Sequence, residues 1–266
     1  MAAQSSNPAF RNTPAFSDRA QLAVPSAEQL DTLYDRPSAT PEDTGRMTYE
    51  DTLVKTVISF GVLLVGAFVG WQLASFPVLI GAGLIGFVLA LVNIFKKAPS
   101  RALVLAYAAV EGVFVGAISS YYQTMYDGIV TQAALGTLGV VAVTLALFAS
   151  GKVRASRRAT KVFLIALIGY GVFSLINGIL IWTGVSDSMY GLRSGVTIAG
   201  IPLGLVLAPF IVIMGAYSLV LDFDSIQRGV RNGAPRAFGW KGAFGIMVTV
   251  VWLYLEILRI IGLARR

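Results

Sequence analysis

The chain has 266 residues, 56% of them hydrophobic and only 13% charged, with a net charge of +7. A soluble domain carries closer to a quarter charged residues, so this composition points to an integral membrane protein. Neither cysteine nor histidine occurs. That excludes disulfides, thiolate metal sites, the usual catalytic base and the ordinary switch near neutral pH, and leaves proton sensing to carboxylates perturbed by burial.

Residues 1–50 are polar and proline-containing and hold no sustained apolar period. They read as a disordered cytoplasmic tail, not as a signal peptide, because a basic start and a short apolar run are missing. Residues 51–266 read as an all-α transmembrane domain. Seven apolar segments follow the tail, at about 53–72, 76–95, 102–122, 128–150, 161–183, 195–221 and 240–263. Each approaches the length of about twenty residues that crosses the bilayer as a helix. On segment three Ala108, Gly112, Gly116 and Ser120 recur every four residues, and Gly200 and Gly204 do so on segment six, as stripes for close helix contact. Pro202 and Pro209 predict a kink in segment six.

Loop charge sets the expected orientation. Lys96, Lys97 and Arg101 follow segment two, Lys152 to Lys161 follow segment four, and Arg228 to Lys241 follow segment six. The alternate loops hold almost no positive charge, and the fifth holds only Arg193. The positive-inside rule then places the tail and the basic loops in the cytoplasm of a multi-pass cell-membrane protein. Seven crossings leave the basic "LARR" end on the other side. A basic rim on an apolar body suits anionic lipid, with no nucleic-acid partner.

Eight of the 14 acids fall within residues 1–51, and the six beyond are Glu111, Asp127, Asp187, Asp222, Asp224 and Glu256. An ionisable residue inside a span is costly and is a functional candidate by default. Glu111 falls about 15 Å into segment three, near the bilayer middle. Glu256 falls about 22 Å along segment seven, past the midplane, with Arg259 three residues on as its alternative partner. Asp222 and Asp224 sit where segment six ends, and two residues of separation turn them about 200° apart, so only one can face the bundle. Acids at three depths suit a cation or proton route, with Glu111 midway and oxygen ligands holding calcium only in transit rather than at a fixed metal site. Lys96, Lys97 and Arg101 are candidate latch partners for the inner aspartates.

The "AAVEGVFVGAISSYY" segment, the "LDFDSIQRG" end of segment six and "LYLEILRIIG" in segment seven resemble the Bax inhibitor-1 family, in its bacterial YccA-like branch, over about residues 47–266. The resemblance implies six helices around a central seventh. It also implies a calcium-permeable, pH-sensitive leak whose gate is an acid pair on helices six and seven. Asp222 matches the sixth-helix aspartate by its spacing to Ile226, with Asp224 second. Glu256 matches the seventh-helix acid through "LYLE", whereas counting from the chain end puts that position near Val248 or Thr249. On this reading Asp222, Asp224 and Glu256 sense pH and gate, and no cofactor is needed beyond calcium as the permeant ion. The alternative is a non-transporting scaffold or regulator of membrane proteases, with other membrane proteins as partners. An enzyme is not expected, because histidine is absent and Asp222 and Glu256 lie at different depths.

Overall fold

Lipid cannot hydrogen-bond a backbone, so each apolar run closes its own bonds as a helix. The structure, a computed structural model, describes residue 26 and residues 44–186 and 188–266. The expected disorder of the tail falls mainly on residues outside these. Gly45–Arg266 forms one compact unit. Its seven long helices are α1 (Tyr49–Gln72), α2 (Phe76–Phe95), α3 (Arg101–Met125), α4 (Ile129–Ala149), α5 (Arg157–Trp182), α6 (Leu203–Arg231) and α7 (Phe238–Ala264). All seven are long and apolar enough to cross a membrane.

Local chemistry sets the ends. The Thr48 hydroxyl accepts from the Asp51 amide at 3.1 Å, and Glu50 and Asp51 place negative charge at the positive start of α1. Ser156 caps α5 in the same way. The largest departure from the sequence reading is α6, which starts eight residues later than expected and runs ten further. Ahead of it stand a helical turn at Leu192–Gly195 and a two-residue hairpin, β1 (Thr197–Ile198) with β2 (Ile201–Pro202). Ala199 and Gly200 turn that hairpin with positive φ of 51° and 79°. Gly200 and Gly204 therefore do not share a helix. Pro202 is the N-cap rather than a kink, and Pro209 alone lies inside α6. At the far end Ile226 remains buried against the bundle, which carries the helix past 221.

The last helix is the core. Half of its apolar window is buried, against 11% for α5, and it packs against α1, α3, α4 and α6. Residues Tyr107, Val115, Phe244, Met247 and Val251 form one cluster around it, and Leu219, Leu253 and Leu258 belong to a second. The α1–α3 pair is the closest seam. Cβ atoms at Gly66 and Gly70 would overlap backbone of α3, and Cβ atoms at Gly112 and Gly116 would overlap backbone of α1. The small-residue stripe on α3 is thus a packing surface.

Loops alternate between the two ends. Gly45–Met47 bonds to Ala234–Arg236 at the basic end. At the opposite end Arg265 donates to the Asp127 carbonyl at 2.6 Å and Arg266 to Ser188 Oγ at 3.1 Å. The basic chain end therefore lies with the loops that hold little positive charge, as seven crossings require.

Candidate functional site

Because α6 continues to Arg231, Asp222 lies about 13 Å short of its C-terminus instead of at the helix end. Its side chain turns inward. Thr249 Oγ1 on α7 donates to Asp222 Oδ2 at 2.6 Å, and Ser218 Oγ lies 3.4 Å from the same hydroxyl. Gly245, one turn before Thr249, leaves room for the carboxylate beside α7. Asp222 forms no ion pair among the described residues. Asp224 points the other way and pairs with Arg228 at 3.3 Å, one turn on. The 200° separation thus puts one acid in the bundle and one at its rim.

The Asp222 side chain lines a cavity of about 260 Å³ with Ile226, Gly229, Lys241 and Gly242. Met47 lines it too. That residue is 4% exposed, and its amide donates to the Ala234 carbonyl at 2.7 Å, while the Arg236 amide donates to Gly45 at 2.8 Å. Behind this clasp, buried Lys55 donates to Asp51 and, at 2.7 Å, to the Arg236 carbonyl; Arg236 Nε donates to Asp51 at 2.9 Å. Two stretches of chain, 45–55 and 234–236, are tied together here beside the Asp222 cavity by bonds between residues more than 180 positions apart. Composition gave no signal for this, because Asp51 and Lys55 read as an ordinary i,i+4 helix pair.

The expected latch does not form. Lys96 and Lys97 are exposed, and the Arg101 guanidinium lies 5.7 Å from the centre of the Trp240 ring on α7, which Lys55 also approaches. An arginine beside an indole gains cation–π attraction without needing an acid. No ion pair joins these three residues to Asp222 or Asp224 among the described residues.

Glu256 is buried, 4% exposed, two turns beyond Thr249 and so about 10 Å farther along α7. It does not meet Asp222. Arg193 Nη1 donates to one of its oxygens at 3.1 Å and Arg259 Nη1 to the other at 2.8 Å. Arg193, itself 4% exposed, donates its second Nη to Tyr170 OH at 2.6 Å and Ser174 Oγ at 3.0 Å on α5, and its guanidinium lies 5.2 Å from the Tyr170 ring centre. The loop is aimed by Asn177 of α5, whose Oδ1 accepts from the Leu192 amide at 2.6 Å and whose Nδ2 donates to the Tyr190 carbonyl at 3.2 Å. Gly191, at φ 59°, is crowded by Asn177, so only glycine suits that turn. Beside it the Tyr190 phenol lies near Tyr122 and Tyr126 with no hydrogen-bond partner among the described residues, and burial pushes it well above the ordinary phenol value. In sequence Arg193 reads as a stray loop charge, and only the loop's fold returns it to the bundle.

Glu111 lies on α3 about where its depth was read, but it faces α2, where a Cβ on Gly86 would press on its carboxylate. Tyr107, one turn earlier, packs its ring against Phe244 of α7 at 5.1 Å. The structure therefore places Asp222, Glu111 and Glu256 at three separate seams: α6–α7, α2–α3, and α7 against the Arg193 loop. Among the described residues no three acids come together as a metal site.

No curated protein matches the chain. A family model described as Bax inhibitor 1 like matches residues 7–266, which begins forty residues ahead of the region in which the resemblance was read. By that match over nearly its whole length, the chain belongs to the Bax inhibitor 1 like family.

Proposed function

We propose that this protein is a non-enzymatic, acid-sensitive cation leak of the cell membrane, with its N-terminus in the cytoplasm, calcium among its permeant ions, and a closed gate at Asp222. One observation carries the reading. A carboxylate within a spanning helix has a hydroxyl as its hydrogen-bond donor and no ion pair among the described residues, and it lines a cavity. Such a group is costly within a membrane, and ionisable residues kept there mark ion and proton pathways. Lys241 lines the same cavity.

The gate follows from hydrogen-bond inventory. An ionised carboxylate only accepts, so it takes the Thr249 hydroxyl as donor; protonation adds an O–H donor and turns this charge-assisted bond into a weaker neutral one, which loosens the α6–α7 contact. Where the family resemblance implies an acid pair, Asp222 meets a threonine. One carboxylate in place of two removes like-charge repulsion, so a single protonation acts on the contact. Glu111 is kept as the mid-depth cation contact, since no basic group pairs with it among the described residues. Glu256 becomes the seal at the far end.

One observation favours the second reading, a non-transporting scaffold: Arg193 and Arg259 stand together where a cation would leave, and fixed guanidinium groups exclude cations. Calcium flux from proteoliposomes against pH decides between them. The leak reading expects flux that Asp222→Asn makes insensitive to pH. Vesicles tight at every pH would leave the scaffold.

A further inference from the structure

At the end opposite the basic loops a cavity of about 440 Å³ opens between α5 and α7, beneath the Arg193 loop. We propose that this cavity binds one anionic phosphate group.

Charge is the first ground. Arg193 and Arg259 both line the cavity and share one carboxylate, Glu256, so a unit of positive charge is left over among the described residues. Arg193 is 4% exposed, and its Nε has no acceptor among those residues. Enclosed charge without a counter-charge is costly, and a bound anion offsets it. Arg259 is less enclosed, at 33% side-chain exposure, and spends one Nη on Glu256, which leaves guanidinium donors directed elsewhere.

Donor balance is the second ground. Ser174 accepts from Arg193, and a hydroxyl that accepts keeps its own proton to donate. Asn177 uses its oxygen and one amide N–H on the loop backbone, so its second N–H is left. The cavity is thus lined by surplus donors, and its one carboxylate among the described residues is already doubly engaged. These donors come from α5, the loop and α7, not from one plane. A tetrahedral phosphate meets donors from several directions, whereas a flat carboxylate is best served by a single guanidinium fork. Trp252, Leu167 and Ile181 supply apolar wall beside the polar cluster, room for the carbon portion of a phosphodiester.

The source is either the headgroup of an anionic lipid or free phosphate. The test uses the full-length chain in a zwitterionic detergent, titrated with short-chain phosphatidylglycerol, short-chain phosphatidylcholine, inorganic phosphate and hexanoate. Binding is read by native mass spectrometry and by the shift in Tm. The expected result is saturable one-to-one binding of phosphatidylglycerol, weaker for phosphatidylcholine; competition by inorganic phosphate assigns the group to the aqueous side, and its failure to compete assigns it to lipid. Arg259→Gln weakens binding about tenfold or more, the loss of a charge-assisted bond. Glu256→Gln tightens it, because a competing carboxylate is gone. Arg259→Lys, which keeps the charge, retains binding and covers the case in which the glutamine variant does not fold. Three results overturn the proposal: hexanoate binding as tightly as the phosphates, Arg259→Gln and Glu256→Gln weakening binding alike, or binding that appears only in Asp187→Asn, which would show that the loop's own acid fills the role.

Discussion

Thr249 on α7 donates a 2.6 Å hydrogen bond to Asp222 on α6, and this bond joins the central helix to the helix that brings a carboxylate into the bundle. Removing the donor leaves a buried acceptor without its partner, at a cost of roughly 1–3 kcal/mol. Thr249→Val, nearly the same shape, should lower the unfolding midpoint in detergent by an amount of that order. Thr249→Ser should keep most of the stability. Equal loss in both variants would place the effect in packing and not in the bond.

The Arg193–Glu256–Arg259 cluster should behave as a buried network. Breaking one partner of a buried pair typically costs about 3–5 kcal/mol because the remaining charge is stranded. Arg193→Met should therefore destabilise more than Arg259→Met, since Arg193 is the more enclosed of the two. A double-mutant cycle between Arg193 and Glu256 in thermal unfolding should return a coupling well above zero, and additivity would contradict the geometry.

The α1–α3 seam depends on the absence of side chains. Gly116→Val puts a branched group where the Ala67 backbone lies, and overpacking of this kind costs about 1–3 kcal/mol or more. Gly139→Val on α4, where a Cβ meets nothing within 4 Å, is the control and should leave the unfolding midpoint nearly unchanged.

Much of this architecture was legible in the sequence, because lipid imposes a simple rule: seven apolar runs of sufficient length must be helices, and their loop charges alternate. Six of the seven helices begin and end within four residues of where hydropathy put them. Segment six did not, because hydropathy stops at the first aspartate whereas the helix is carried on past it by buried Ile226. The inward turn of one aspartate and the outward turn of the other followed from helical phase. Which residue meets Asp222 did not, since Thr249 and Glu256 lie on one helix and only the register of α6 against α7 decides between them. The Arg193 pairing was equally hidden. A cation 63 residues away in a short loop gives no periodic signal, and its capture depends on Asn177 and on the left-handed turn at Gly191.

Met47 lines the Asp222 cavity, and its control of access is open to a clean chemical test, because the chain contains no cysteine. Ile226 lines the cavity and is 9% exposed. A cysteine placed by Ile226→Cys should react slowly with a water-soluble maleimide, and Met47→Ala in the same background should speed that reaction. Unchanged labelling would mean that Met47 does not control access.

The most direct measurement is calcium efflux from proteoliposomes across a range of pH, for the wild-type chain and for Asp222→Asn. A carboxylate gate at the α6–α7 contact gives wild-type flux that changes with acidity and a variant whose flux is the same at every pH. A variant that keeps the wild-type response, or wild-type vesicles that release no calcium at any pH, would contradict it.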